Sequence, residues 1–184
     1  MNRREALRNL AIITGGIILV PSCNFSQEEV LVAYDNLSIK PSQAELLASI
    51  ADTIIPATDT KGAADISVQD FILVMVNDCM EQDAQETFTQ GLNDFESFSK
   101  NAGGKAFLKQ ERGTRERVIT QGMSLEDEDN LHISEFLQIT KRMTIQGFMA
   151  SEYMMTEVRP YSLIPGTYNG EVLISNIDKE SING

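Results

Sequence analysis

One histidine and two cysteines are all that 184 residues provide of the side chains that most often bind metals or activate nucleophiles. A serine or cysteine nucleophile needs a base and a group to orient it, and His132 is the sole imidazole for that task. Covalent haem attachment through Cys-x-x-Cys-His is excluded. The Gly-x-Gly-x-x-Gly turn of a dinucleotide fold is missing. Gly104-Lys105 makes no phosphate loop either, because Ser99 stands where its first glycine belongs and Ala106 where a magnesium-binding hydroxyl belongs. Basic residues are scarce too: 15 Lys and Arg against 27 Asp and Glu give a net charge of −12. An acidic surface repels phosphates instead of neutralising them, so nucleic acid is not an expected partner. A spanning helix needs about 20 apolar residues. The run from Leu10 to Val20 is shorter and is interrupted by Thr14, Gly15 and Gly16.

What is present at the start is an address. Arg3, Arg4 and Arg8 precede that short apolar run, and small residues follow it, which is the layout of a bacterial export signal. The pair Arg3 and Arg4 followed by Glu-Ala-Leu fits the twin-arginine variety, whose substrates cross the membrane folded. Val20-Pro-Ser-Cys23 then reads as a lipoprotein cleavage site, with Cys23 the lipidated first residue of the mature chain; the other reading is an ordinary signal peptide, with Cys23 incidental. Acyl chains, at about 0.8 kcal/mol per buried methylene, would anchor the protein to a membrane surface. Removing residues 1–22 takes away three arginines and one glutamate, moving the net charge from −12 to −14. The remainder suits one domain with one core.

With Cys23 modified, Cys79 is the remaining thiol and no intrachain disulfide forms. Its setting in Phe71-Ile-Leu-Val-Met-Val-Asn-Asp-Cys79 favours a buried, inert thiol over a cross-link to a partner.

The expected organisation is a signal over 1–22, a tether over 23–40, a helical domain over 41–175 and a flexible tail over 176–184. Leu46, Leu47, Ile50 and Ile54 share one helical face between Pro41, suited to a first turn, and Pro56, a stop. "PATDTKGAAD" is a structured loop of residues that bond their own backbone or permit positive φ. Ser67 to Asp70 resembles a capping box ahead of a stripe formed by Val68, Phe71, Ile72, Met75, Val76 and Cys79. A third helix runs from about Asp83 to Lys100, with Phe88, Leu92, Phe95 and Phe98 inward, and stops at Gly103-Gly104. Lys105 to Gln121 reads as a short helix or two broken at Gly113. The longest helix is expected to carry Leu131, Phe136, Leu137, Thr140, Met143, Gly147 and Phe148. Gly147 in its interior costs about 1 kcal/mol against alanine, which close approach by another helix would compensate. The sum is an all-α domain of about five helices with an irregular, turn-rich C-terminal segment.

His132 lies near Glu126, Asp127, Glu128, Asp129 and Glu135. A metal cluster is one reading; the simpler one has Ser124 and Asp127 capping a helix whose N-terminus the acids complement. The calcium-loop spacing and its glycine are missing. Met143, Met149, Met154 and Met155 are dense near the end of the last helix. They read either as adaptable core filling or, with Phe148, Tyr153, Arg159 and Tyr161, as a docking surface.

"ADTIIPATDTKGA" (Ala51 to Ala63), the helix with Phe71, "FTQGLNDFE" and "TIQGFMASEYMMTEVRPYSLIPGTYNGEV" (Thr144 to Val172) together resemble the gluconate 2-dehydrogenase subunit 3 family. The resemblance runs from about Ser42 to Val172. It implies a small subunit, not itself catalytic, of an FAD-dependent sugar or polyol dehydrogenase at the periplasmic face of a bacterial membrane. In such complexes a large GMC-type flavoprotein oxidises the substrate and often passes electrons to a cytochrome c subunit, while the small subunit assists maturation and export. No cofactor, metal or catalytic residue is implied in this chain; FAD belongs to the partner. The expected docking residues are Pro56, Thr58, Asp59 and Thr60 in the loop, then Phe148, Ser151, Glu152, Met154, Met155, Tyr161, Pro165 and Tyr168. Arg3 and Arg4 would direct export, and Cys23 would attach the complex to the membrane.

Overall fold

The computed structural model describes Tyr34 and residues 36–159. Five α-helices make up most of this part: α1 Pro41–Ile54, α2 Val68–Cys79, α3 Gln82–Gly103, α4 Arg112–Met123 and α5 Leu131–Met149. Short 3₁₀ turns at Ala64–Ile66, Phe107–Lys109 and Glu128–Asn130 lead into α2, α4 and α5, and a π turn at Met154–Val158 follows the last helix. No strand occurs among the described residues, and the fold is all-α.

α5 is the central element. It runs along α3 over the longest seam and also touches α2, α4 and α1. The seam is aromatic: Phe88 and Phe95 from α3 meet Phe136 from α5 with ring centroids 5.1 and 5.9 Å apart, and Phe107 closes on Phe95 at 5.1 Å. All four rings are fully buried. Tilted and edge-on pairs at such distances contribute about 0.5–1.5 kcal/mol each beyond their area.

α1 begins and ends as its prolines dictate, with Pro41 at the first position and Ile55, ahead of Pro56, leaving the helical region. The Lys40 amide donates to Gln43 Oε1 at 2.8 Å, and Gln43 Nε2 reaches Asn93 on α3 at 2.6 Å, so the helix start is tied to its neighbour. α3 ends where Gly104 takes φ +75°, its amide donating to the Lys100 carbonyl. Glycine adopts this left-handed cap without steric cost.

Gly147 shows what its small size is for. A Cβ there would lie 2.5 Å from Phe71 Cδ1 and 3.0 Å from Cγ, so the absence of a side chain lets α2 seat its phenylalanine against α5. The expected close approach is present.

Several local expectations are corrected. Ser67 has φ +53° and makes no capping bond through its side chain; the chain passes directly from the 3₁₀ turn into α2, and the Ser67 carbonyl, not the hydroxyl, accepts from the Asp70 amide. Gly113 does not break a helix, because it occupies the first turn of α4 with open space around it. α3, at 22 residues, is longer than α5, at 19. Ser124 bonds the carbonyls of Thr120 and Gln121, finishing α4 instead of starting α5. Cys79 is exposed, not buried. It is the last residue of α2, where the chain leaves in extended form at Met80, past the end of the packed face.

The stretch expected as a tether is part of the core in its described portion. Tyr34, Leu37 and Ile39 are buried, with Leu37 at 2 % exposure. Asn36 and Asn77 pair reciprocally: the Asn36 amide donates to Asn77 Oδ1 and Asn36 Nδ2 donates to the Asn77 carbonyl, both at 3.2 Å. The second bond satisfies one of the carbonyls left free at the end of α2. Gln85 Nε2 is shared among the carbonyls of Val76, Asn77 and Met80 and serves the same end. Burial holds the Tyr34 phenol above its usual range, with the negative charge of Asp70 adding to the effect, and burial also raises the Asp70 carboxyl.

Candidate functional site

The loop between α1 and α2 is built rather than slack. The Ala63 amide donates to the Ile55 carbonyl at 2.8 Å and closes the loop at its base, Thr58 and Thr60 bond across its tip, and the Gly62 amide donates to Asp65 Oδ2 at 2.8 Å. Gly62 sits against the backbone of Pro56 and Ala57 so closely that a Cβ would overlap it. Thr58, Asp59 and Thr60 are exposed at the tip, and Pro56 is half-buried at the root.

The segment after α5 is fixed from within. Ser151 Oγ donates to the Phe148 carbonyl at 2.7 Å and accepts from the Met154 amide. The Arg159 amide reaches back to the Met154 carbonyl at 2.8 Å, giving the wide π turn. Such turns recur at functional positions in helices. Phe148 and Met154 are buried, and the Phe148 ring meets Tyr153 at 6.4 Å. These two expected docking residues therefore face the chain's own core and support the surface from beneath. Ser151 is half-buried, and Glu152 and Met155 are exposed.

The loop and this segment meet. The Lys61 amide donates to the Tyr153 hydroxyl at 3.2 Å, the Lys61 ammonium lies 4.6 Å from the Tyr153 ring centroid, and its Nζ is 3.6 Å from Glu157 Oε1. Two stretches 92 residues apart in sequence thus share one surface. Lys61, Tyr153, Glu152, Glu157, Ser151, Thr156 and Ile66 line a shallow depression there. Periodicity gives no sign of the Lys61 contact; its one trace in the sequence is that Lys61 lies inside the loop motif and Tyr153 inside the terminal one. Of the methionines, Met143 and Met154 fill the core, while Met149 and Met155 are exposed and do not.

The expected site residues Tyr161, Pro165, Tyr168, Arg3, Arg4 and Cys23 lie outside the described residues. His132 is engaged by α3: its Nε2 is 3.0 Å from Asp94 Oδ2, and its side chain is 15 % exposed. Among the described residues no group of three or more His, Cys, Asp or Glu is placed to share a metal ion, and no helix is long and apolar enough to cross a membrane.

The model of the gluconate 2-dehydrogenase subunit 3 family matches residues 41–166, a span that begins with α1 and takes in both the loop and the segment after α5. The chain belongs to that family. Membership makes it an accessory subunit of the gluconate 2-dehydrogenase subunit 3 type, associated with a dehydrogenase catalytic subunit. The family match starts seven residues after Tyr34, so the buried segment ahead of α1 lies outside the matched span. No curated protein and no solved structure matches the chain.

Proposed function

We propose that this subunit 3 protein escorts a GMC-type FAD-dependent sugar or polyol dehydrogenase through twin-arginine export and then holds it at the periplasmic face of a membrane through a lipid on Cys23. The large flavoprotein supplies FAD and catalysis, in some complexes with a cytochrome c subunit as electron acceptor. This chain supplies the address, the docking surface and the attachment. The observation that carries the reading is the meeting of the α1–α2 loop with the Ser151–Arg159 segment in a member of this family, since it turns two separate motifs into one surface. A lasting association buries about 800 Å² on each side. The exposed loop tip together with Glu152, Met155 and neighbours gives such an area its centre.

Purification of the processed protein from its native cell in mild detergent tests this. A co-purifying flavoprotein is expected, together with an N-terminal peptide whose mass carries acyl chains on Cys23. A monomer without flavoprotein would refute the escort role and favour a free-standing helical lipoprotein; a free Cys23 thiol would remove the anchor alone. Replacing Arg3 and Arg4 by lysine should strand both proteins in the cytoplasm, because the pathway reads the arginine pair. Continued export of the flavoprotein by itself would refute the carrier argument.

A further inference from the structure

We propose that the Tyr153 ring and the Glu157 carboxylate form a cation site which Lys61 fills in the free subunit and which an arginine or lysine of the catalytic subunit takes over on docking. This rests on the docking reading above and gives it a chemical content: the partner is recognised there by a positive side chain.

The geometry is that of an aromatic face with an anion beside it. Lys61 Nζ lies 4.6 Å from the ring centroid, within the range of about 6 Å over which a ring attracts a cation, and 3.6 Å from Glu157 Oε1. Glu152 lines the same depression and adds a second carboxylate to it. Of these two acids, Lys61 pairs with Glu157. That lysine is held loosely: its side chain is 49 % exposed and that of Glu157 is 62 % exposed, so solvent and competing groups reach the pair. Exposed pairs of this kind contribute little.

The site itself does not depend on the Lys61 side chain. Tyr153 is placed by the Lys61 backbone amide, by the edge of Phe148 and by the buried Met154 that follows it. Removing the ammonium therefore leaves the ring in position and frees the Glu157 carboxylate, one turn further along the same segment, for another cation. An arginine is the better occupant, since a guanidinium is planar, stacks on aromatic faces and is more weakly hydrated than an ammonium. Exchange of an internal lysine for a partner's arginine lets the free subunit cover a sticky spot without blocking it.

The test measures the affinity of the purified catalytic subunit for the full processed protein and for Lys61→Ala, Lys61→Ala/Tyr153→Leu and Lys61→Ala/Glu157→Gln, with Lys141→Ala as a control of equal charge change at an exposed site on α5. Lys61→Ala should bind about fivefold tighter, because its competitor is gone. Either double variant should lose that gain and fall about tenfold below Lys61→Ala, and Lys141→Ala should match the parent. Weaker binding by Lys61→Ala would overturn the proposal by making Lys61 itself a contact, and equal gains in Lys61→Ala and Lys141→Ala would reduce the effect to net charge. In parallel, N-acetyl-arginine amide is titrated into Lys61→Ala while the Tyr153 ring resonances are followed. Saturable shifts at the ring and at the neighbouring Thr156 amide, the latter lost in Lys61→Ala/Tyr153→Leu, support the site; no shift overturns it. The small probe needs no catalytic subunit, so it decides the cation site even where docking of the subunit fails altogether.

Discussion

Substituting alanine for glycine in a helix should stabilise it, and at Gly147 it should not. In a helix interior the exchange gains about 1 kcal/mol from backbone entropy and propensity. At Gly147, however, the new Cβ would lie 2.5, 3.0 and 3.2 Å from three carbons of the Phe71 ring. These are atoms of a rigid ring packed between α2 and α5, so relief requires moving the helices or forcing the ring off its rotamer. Overpacking of this kind costs about 1–3 kcal/mol. The net expectation is a loss of about 0–2 kcal/mol. Gly113→Ala provides the contrast, because nothing lies within 4 Å of the added carbon, and it should stabilise by about 0.5–1 kcal/mol. At about 2–4 °C per kcal/mol for a domain of this size, thermal unfolding followed by circular dichroism separates the two variants in sign. Adding Phe71→Leu to Gly147→Ala should recover part of the loss by removing the ring carbons. A rise in Tm for Gly147→Ala equal to that for Gly113→Ala would refute the close seating of Phe71 and with it the account of how α2 crosses α5.

Asn77→Ala should cost about 1–2 kcal/mol, since it removes an acceptor from the Asn36 amide in a partly buried setting, and hydrogen exchange at residues 36–39 should quicken more than exchange in α3. Gln110→Leu should destabilise by about 1–3 kcal/mol, because one Nε2 group serves the Ser99 carbonyl, the Ser99 hydroxyl and the Lys105 carbonyl around the end of α3; a neutral result in urea titration would contradict this. Tyr34 holds its proton more tightly folded than unfolded, so above the ordinary tyrosine value of 10.0 the folded state binds more protons and stability falls as pH rises toward the folded value. Tyr34→Phe should flatten that loss in denaturant titrations between pH 9 and 11, and an unchanged slope would count against the buried phenol. Tyr153→Phe removes the acceptor for the Lys61 amide, and exchange at that amide should quicken while the Tm changes little.

The helices were legible because apolar spacing records burial directly: Leu46, Leu47 and Ile50 on α1, or Phe88, Leu92 and Phe95 on α3, leave no other period. The helix ends were less so. At Ser67 the sequence has a capping-box pattern, but the preceding 3₁₀ turn already satisfies the backbone and places the residue at φ +53°. Cys79 continues the α2 stripe by count and falls beyond the helices that would cover it. Amide side chains are the least readable. Gln85 and Gln110 each bind several carbonyls around a chain reversal, a task that depends on where the loop returns and not on any local period. The candidate surface was half legible, its two motifs being visible separately. The Lys61 to Tyr153 contact that unites them arises from tertiary packing of α1, α2 and α5.

The exposed thiol at the end of α2 gives the protein a reporter position of its own. Cys79 is two residues from the Asn77 groups that grip the segment ahead of α1 and is the one cysteine among the described residues. If Cys23 carries lipid, a maleimide dye or nitroxide would attach at this single place without any substitution. Its emission or mobility would then register release of the Tyr34 to Ile39 strip during unfolding, so the detachment of that strip could be timed against the melting of the helices in an otherwise unaltered chain.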